Sequence, residues 1–208
     1  MRTAGRARSA WRLIAGPLSS LCVASLGGAM LLGCARGGAR GASRAPATAR
    51  ALAGPRPSVI GADEGERRYL RGGTAPLLIK VDPVTTGSEH LVLGSSDLPP
   101  GDEITLHRHL QEDEIILITR GHGRVTLGRA SYAAGPGAVV FIPQGTCVAL
   151  ANTGTDTLSN TFVFSAPGFE RVLRAVSTTP GAPPHRLTPE ERAAAFRAGH
   201  AEAAPSAC

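Results

Sequence analysis

From about Ser58 onward, short apolar runs alternate along the chain with clusters of Gly, Pro, Asp and Asn. Each run has the length of a β-strand, and none is long enough for a typical helix. Many short strands separated by regular turns are typical of an antiparallel sandwich or barrel. The pattern therefore predicts an all-β domain, with strands at 77–81, 90–93, 103–107, 114–119, 124–127, 138–142, 147–151 and 161–164.

The pattern changes after Phe164, where two short helices are expected. The first lies within 167–176. The second should begin at Thr188, because Thr is a favourable N-cap, Pro189 suits the first helical position and Glu191 can complete a capping box. This helix should end near Gly199. The all-β domain is therefore expected to carry a short helical tail at its C-terminal end.

The N-terminus has the pattern of an export signal. Four arginines lie within the first 12 residues, and 13–33 is apolar and rich in small residues. This stretch ends in Leu31-Leu32-Gly33-Cys34, which resembles the lipobox of bacterial lipoproteins. The resemblance implies cleavage before Cys34 and lipidation of that residue. The alternatives are an uncleaved membrane anchor or ordinary secretory cleavage elsewhere. All three place the domain outside the cytoplasm, and lipidation would hold it at the cell envelope, on the secreted or periplasmic side of a membrane.

Charge is divided unevenly along the chain. The formal net charge is +6, from 22 basic and 16 acidic residues. Nine of the basic residues precede Pro57, in segments that hold no acidic residue, so the rest of the chain is slightly acidic. A basic surface for nucleic acid is therefore not expected on the domain. These patterns divide the chain into a signal peptide at 1–33, a disordered Ala/Arg/Gly/Pro tether at 34–57, a β-domain at 58–176 and a helical extension at 177–208.

Two histidines and a carboxylate are the main candidates for chemistry. His107 and His109 are two residues apart in a predicted strand, so both rings project from the same face. Glu114 follows after a charged turn. Two imidazoles and one carboxylate form the ligand set of non-haem Fe(II) oxygenases, and they also suit Mn, Ni, Cu or Zn. On spacing alone, a His-x-His pair is weak evidence of a metal site, because such pairs are more often surface or hydrogen-bonded histidines.

The residues around this set resemble the cupins over roughly residues 74–175. Gly101, His107, His109, Glu114 and Gly121 stand at the spacing of the first cupin motif, and Gly137, Pro143, Gly145 and Asn152 stand at the spacing of the second. The resemblance implies a double-stranded β-helix, the jelly-roll barrel of the cupins, which is frequently assembled as a homodimer.

Carried over by position, the resemblance implies that His107, His109 and Glu114 are metal ligands. The family's fourth ligand is a histidine, whereas this chain has Val148, which cannot bind a metal. Three protein ligands still suffice for a catalytic metal when water completes its coordination shell. The departure at Val148 nevertheless weakens a strict dioxygenase assignment.

Apolar residues of the barrel interior are expected to form a ligand pocket, and the candidates are Val148, Phe141 and Ile116. Neighbours in a strand point to opposite faces, so Cys147 should face away from the histidines as a buried, inert cysteine. Cys208 is expected to be a free end without a partner. Glu112 and Asp113 are expected to form a solvated acidic turn rather than to act as ligands.

Two classes of function fit these expectations. The first is a metal-dependent oxidoreductase in which His107, His109 and Glu114 hold a divalent ion that acts on a small organic substrate. The second is a binding or sensory protein without turnover, in which Val148 marks a pocket for an apolar or sugar-like ligand. Fold alone does not decide between them, because the cupin fold hosts both.

The lipobox resemblance makes a direct prediction. A Cys34→Ala variant should leave the membrane fraction or accumulate as an uncleaved precursor, because it lacks the sulfur that would carry the first acyl chain. Fractionation followed by intact-mass measurement would report this. Unchanged membrane retention and mass would contradict lipidation at Cys34.

Overall fold

A computed structural model describes residues 54–70, 73–184, 186–206 and 208. The predicted signal peptide, Cys34 and nearly all of the predicted tether lie outside the described residues. The described part is built from two antiparallel sheets that pack face to face around an apolar core. No helix among the described residues has the length and apolar character needed to cross a membrane.

The strands in chain order are β1 (Glu66–Leu70), β2 (Ala75–Val81), β3 (Val92–Leu98), β4 (Glu103–His109), β5 (Glu114–Arg120), β6 (Gly123–Leu127), β7 (Ala130–Ala134), β8 (Val139–Ile142), β9 (Cys147–Asn152), β10 (Leu158–Phe164) and β11 (Ala201–Ala203). One sheet has the order β1-β2-β3-β10-β5-β8, and the other has the order β11-β4-β9-β6-β7. The predicted all-β jelly roll with a short C-terminal helical region is confirmed.

Alternating burial along the strands explains the core. In β5 and β10, every second residue is buried between the sheets, as a pleated strand with one inner face requires. The inner residues of the two sheets form one apolar cluster, which includes Leu98, Ile116, Ile118, Val125, Ile142, Val148, Leu150 and Leu158. A second cluster lies beneath the helices and contains Leu77, Val92, Phe162, Phe164, Phe169, Val172 and Phe196.

The two helices are α1 (Glu170–Val176) and α2 (Pro189–Ala198). The predicted capping box is confirmed at α2: the Glu191 amide donates to Thr188 Oγ1, and the Thr188 amide donates to Glu191 Oε2. Gly199 follows α2 against Val172 of α1, and a Cβ at this position would clash with that side chain. A glycine therefore permits the close approach of the two helices.

Three strands were not predicted from the sequence, namely β1, β7 and β11. Each lacks a clear apolar run: β1 is half-buried along its whole length, and β7 is exposed except at Ala134. The strand β11 pairs with β4, placing Ala201 opposite His109 and Ala203 opposite His107. The C-terminal segment is thus integrated into the second sheet as well as containing a helix.

The expectation of a free Cys208 and an inert Cys147 is wrong. These two cysteines form a disulfide with a Cα–Cα distance of 5.9 Å. Pairing of β11 along β4 returns the chain terminus to the neighbouring strand β9, where Cys147 lies. The sequence reasoning missed the bond because 61 residues separate the two cysteines and no predicted strand lay near the second one.

We predict that a Cys208→Ser variant is less stable by about 2–4 kcal/mol, because the disulfide restricts a long loop of the unfolded chain. This corresponds to a melting temperature lower by roughly 5–12 °C for a domain of this size. Differential scanning calorimetry would measure the change. A thiol reductant should lower the melting temperature of the natural protein and leave the variant unaffected; equal melting temperatures for both proteins would contradict the prediction.

Candidate metal centre

The candidate centre begins with the alternation of β4. Its first half is largely exposed, but His107 and His109 are both buried on the inner face. The next strand starts with Glu114, which is also buried. One ligand atom from each of these three side chains lies within 4.8 Å of the other two. The structure thus brings together the three residues that the sequence singled out.

The protonation of His107 is set by its backbone. Its Nδ1 lies 2.8 Å from the Thr105 carbonyl oxygen, so Nδ1–H donates and Nε2 is left as the nitrogen with a lone pair. Burial lowers the pKa of His107 to about 4, and the nearby His109 contributes to the shift. His107 is therefore neutral at physiological pH, which is the form that binds a metal.

His109 lies between two carboxylates. Its Nε2 is 3.1 Å from Glu114 Oε2, and its Nδ1 is 3.3 Å from Glu112 Oε1. Burial alone would lower the pKa of His109, but the attraction of Glu112 and Glu114 outweighs it and raises the pKa to about 9. The imidazole is thus charged at neutral pH. In this charged form, His109 Nε2 donates a hydrogen bond to Glu114 Oε2, so its proton lies between two of the three ligand atoms.

The expectation that Glu112 belongs to a solvated turn is wrong. Its side chain is 1% exposed, and both carboxylate oxygens are buried without a well-aligned hydrogen bond. Its neighbour Asp113 is partly exposed and accepts a hydrogen bond from the Gln144 amide. The turn therefore points its two acids to different sides. The Glu112 carboxylate lies behind His109, where an outer carboxylate can orient a metal-binding imidazole through Nδ1.

Aromatic rings hold both imidazoles in place. Phe169 stacks on His107 at 5.3 Å between ring centroids and meets His109 edge-on at 4.3 Å. Phe164 also packs on His109, at 5.1 Å between ring centroids. Phe169 directly precedes α1, so the helical segment after β10 completes the surroundings of the histidines. This packing excludes water from one side of the cluster.

His107 and Glu114 line a cavity of about 800 Å³ between the sheets. Two of the predicted pocket residues, Val148 and Ile116, also line it. The prediction for Phe141 is wrong: its side chain is 56% exposed and does not line the cavity. Phe141 alternates with the buried Val140 and Ile142 along β8, so its side chain points outward.

Val148 stands beside His107 on the neighbouring strand. The two residues are register partners in the β4–β9 pair, and the next pair joins Arg108 to Cys147. Cys147 is thus on the opposite side of β9 from the cavity, in the direction predicted, where it bonds to Cys208. Among the described residues, no thiolate takes the place of the fourth ligand, and the position itself holds the apolar Val148.

The three ligand atoms fit a divalent metal whose coordination shell is only partly filled by protein side chains. His107 offers Nε2, His109 offers Nε2 once its proton leaves, and Glu114 offers a carboxylate oxygen. The buried, hydrogen-bond-deficient Glu112 carboxylate supplies the outer negative charge. Two imidazoles with one carboxylate are typical of iron, manganese and zinc sites that retain open positions.

Several residues at the cavity were not singled out from the sequence. The Asn160 amide nitrogen donates to Ser96 Oγ at 2.9 Å, and both residues line the cavity. Arg192 and Phe196 reach it from α2. The capping box predicted this helix but held no information on where it packs. Only the three-residue spacing from His109 to Glu112 hinted at the burial of that carboxylate.

The chain is similar to several solved structures. The chain is 22% identical to a predicted oxalate decarboxylase from Thermotoga maritima (52% of this chain, 99% of that chain, TM-score 0.47). It is 17% identical to KdgF from a Halomonas species (53% and 94%, TM-score 0.46). A cupin-superfamily sugar phosphate isomerase from Silicibacter pomeroyi is 19% identical (53% and 77%, TM-score 0.47). No curated protein matches the chain.

The family profile described as "Cupin domain" matches residues 94–164. The matched segment runs from β3 to β10 and contains His107, His109 and Glu114. It therefore spans the strands that carry the candidate ligands and about half of the cavity lining. Residues 94–164 of this chain are therefore similar to the cupin domain family.

Proposed function

We propose that this protein is an envelope lipoprotein whose cupin domain binds a divalent metal and oxygenates a small organic substrate. One observation carries the proposal: three ligand atoms from His107, His109 and Glu114 lie within 4.8 Å of one another, beside a cavity large enough for a substrate. When bound, the metal would supply Lewis acidity and, if it is iron, one-electron chemistry.

The chain's own residues would prepare this site in three ways. Thr105 keeps the lone pair of His107 on Nε2, since its carbonyl accepts the Nδ1 proton. Glu112 orients His109 from behind, through Nδ1. Phe164 and Phe169 limit the movement of both rings and exclude water from them. These fixed contacts leave the remaining coordination positions to water or substrate.

The alternative function is a binding or sensory cupin without metal. Val148 favours it, because the position across from His107 offers an apolar wall where a ligand atom would complete the metal shell. In that case the ion pairs of His109 with Glu112 and Glu114 would serve to neutralise buried charge. Metal content separates the two functions directly.

The envelope location has support from the folded part of the chain. Disulfides form and persist in secreted and periplasmic proteins and are rare in the cytoplasm. The Cys147–Cys208 bond therefore agrees with export of the domain. Lipidation at Cys34 is the part of the proposal that rests on the sequence alone.

The homodimer stays a prediction. Its surface would come from an exposed apolar patch on β5 and β8, where neighbouring strands place Ile115 opposite Phe141 and Leu117 opposite Val139. Contiguous apolar side chains of this kind are typical of contact surfaces. A second copy of the chain is the partner that the resemblance to cupins implies.

Metal analysis tests the proposed function. The protein purified from cells grown with added iron or manganese should contain close to one metal ion per chain, and His107→Ala should retain less than about a tenth of it. His122→Ala is the matched control, because His122 is exposed at a turn away from the cluster. A natural protein that is metal-free after such growth, with its fold intact by circular dichroism, would overturn the enzyme function and leave the metal-free alternative.

Metal affinity should also depend on pH. His109 holds a proton below its pKa of about 9, whereas His107 is neutral above about pH 4, so metal binding displaces one proton near neutrality. The apparent affinity for Ni²⁺ should rise about tenfold for each pH unit from about pH 6 to 8 and level off near pH 9. Competition against a metal-sensitive dye would measure it. An affinity that is already constant above pH 7 would show that His109 carries no such proton.

A further inference from the structure

The cavity is mostly apolar, and few charged residues line it. Its walls come from both sheets and both helices, with Leu98, Ile116, Leu150, Phe162, Phe169 and Phe196 among them. Among the described residues, and outside the candidate metal ligands, the charged residues that line it are Glu103, Arg186 and Arg192. A ligand of this cavity therefore needs a large apolar portion and meets few charged groups.

Arg192 is held in position by a hydroxyl group and an aromatic ring, and neither of these contacts carries a negative charge. Its Nη2 donates to Thr105 Oγ1 at 3.3 Å, and its Cζ lies 5.0 Å from the centroid of the Phe196 ring. No carboxylate of the described residues lies within ion-pair distance of Arg192, although Glu103 is only two residues from Thr105. The guanidinium thus retains hydrogen-bond donors for another partner.

The charges around this part of the cavity favour an anion. The negative charge of Glu114 is balanced by His109 in the structure. In the metal-bound protein, the metal would balance it. Among the other described lining residues, Glu103 carries one negative charge whereas Arg186 and Arg192 carry two positive charges, so positive charge is in excess. Thr105 connects the two sites, because its carbonyl binds His107 and its hydroxyl binds Arg192. An anionic group on Arg192 would therefore lie close to the candidate metal ligands.

We propose that the cavity binds a small organic carboxylate with an apolar body, and that Arg192 is the specificity-determining residue that binds the carboxylate. A guanidinium binds a carboxylate through two parallel hydrogen bonds, and it does so best where its own side chain is already ordered. The aliphatic and aromatic walls would bury the rest of the molecule. The inference rests on the proposed function in taking this cavity as its substrate site.

The test compares a carboxylate with its neutral analogue in the metal-free full chain. The probes are 2-naphthoate and 2-naphthamide, which share one apolar body and differ in charge, and binding is followed through their fluorescence. The natural protein should bind 2-naphthoate at least about tenfold more tightly than 2-naphthamide. Arg192→Gln should abolish that preference and leave the affinity for 2-naphthamide within about twofold.

Arg197→Gln is the matched control, because Arg197 is an exposed residue of the same helix. It should keep the full preference for 2-naphthoate. If Arg192→Gln does not fold, Arg192→Lys is the second variant. It retains the positive charge but lacks the two parallel donors of the guanidinium, so it should reduce the preference for 2-naphthoate severalfold. Equal affinity for the two probes in the natural protein, an unchanged preference in the Arg192 variant, or no binding of either probe would overturn the inference.

The same preparations distinguish this inference from the proposed function. Ni²⁺ titration of the natural protein and of Arg192→Gln should give equal stoichiometry, because Arg192 is not a ligand. A preference for 2-naphthoate in a protein that fails to bind metal would overturn the metal-dependent function alone. Stoichiometric metal binding without that preference would overturn the carboxylate assignment alone.

Discussion

His109 is buried under aromatic rings while carrying a positive charge, and the arrangement of the surrounding elements depends on how that charge is balanced. A charged imidazole away from water needs nearby counter-charges, and Glu112 and Glu114 supply them on its two ring nitrogens. Glu112 reaches it from the turn after β4, and Glu114 reaches it from the first position of β5. The ion pairs with His109 thus help the backbone to hold the turn between the two strands against the interior of the protein.

The same balance explains why the cluster suits a metal. The site holds two buried carboxylates, one protonated imidazole and one neutral imidazole. A divalent cation could replace the proton of His109 and leave the local charge more nearly neutral than a site with fewer acids would. The inner side chains of β4 and the start of β5 therefore form a site in which proton and metal compete for the same nitrogen.

Much of the fold and the three candidate ligands could be predicted from sequence, because both follow from local patterns. Alternating apolar residues indicate strands, and the spacing of His107, His109 and Glu114 resembles a known motif. The burial of Glu112 could not be predicted, since a charged turn of three residues looks solvated until its partner is known. An apolar residue in a predicted strand indicates burial, which predicts Phe141 in the pocket, whereas the four-residue strand β8 buries only alternate residues.

Long-range features of the C-terminal segment were also beyond the sequence. The capping box located α2, but the contact of Arg192 with Thr105 spans 87 residues and the disulfide spans 61. Such contacts depend on tertiary packing, which local propensity does not report. As a result, the segment that looked like a helical tail supplies part of the cavity wall and the proposed carboxylate-binding residue.

The strand β11 has a further consequence for the second sheet. Without it, β4 would be an edge strand with unpaired amide and carbonyl groups, and such edges recruit strands from other molecules. A strand of three residues is a weak cover by itself, and the Cys147–Cys208 bond keeps it close to its place. Reduction of this disulfide would therefore expose the edge of β4 to strands of other molecules. A reducing environment would thus promote aggregation of this protein before it unfolds the core.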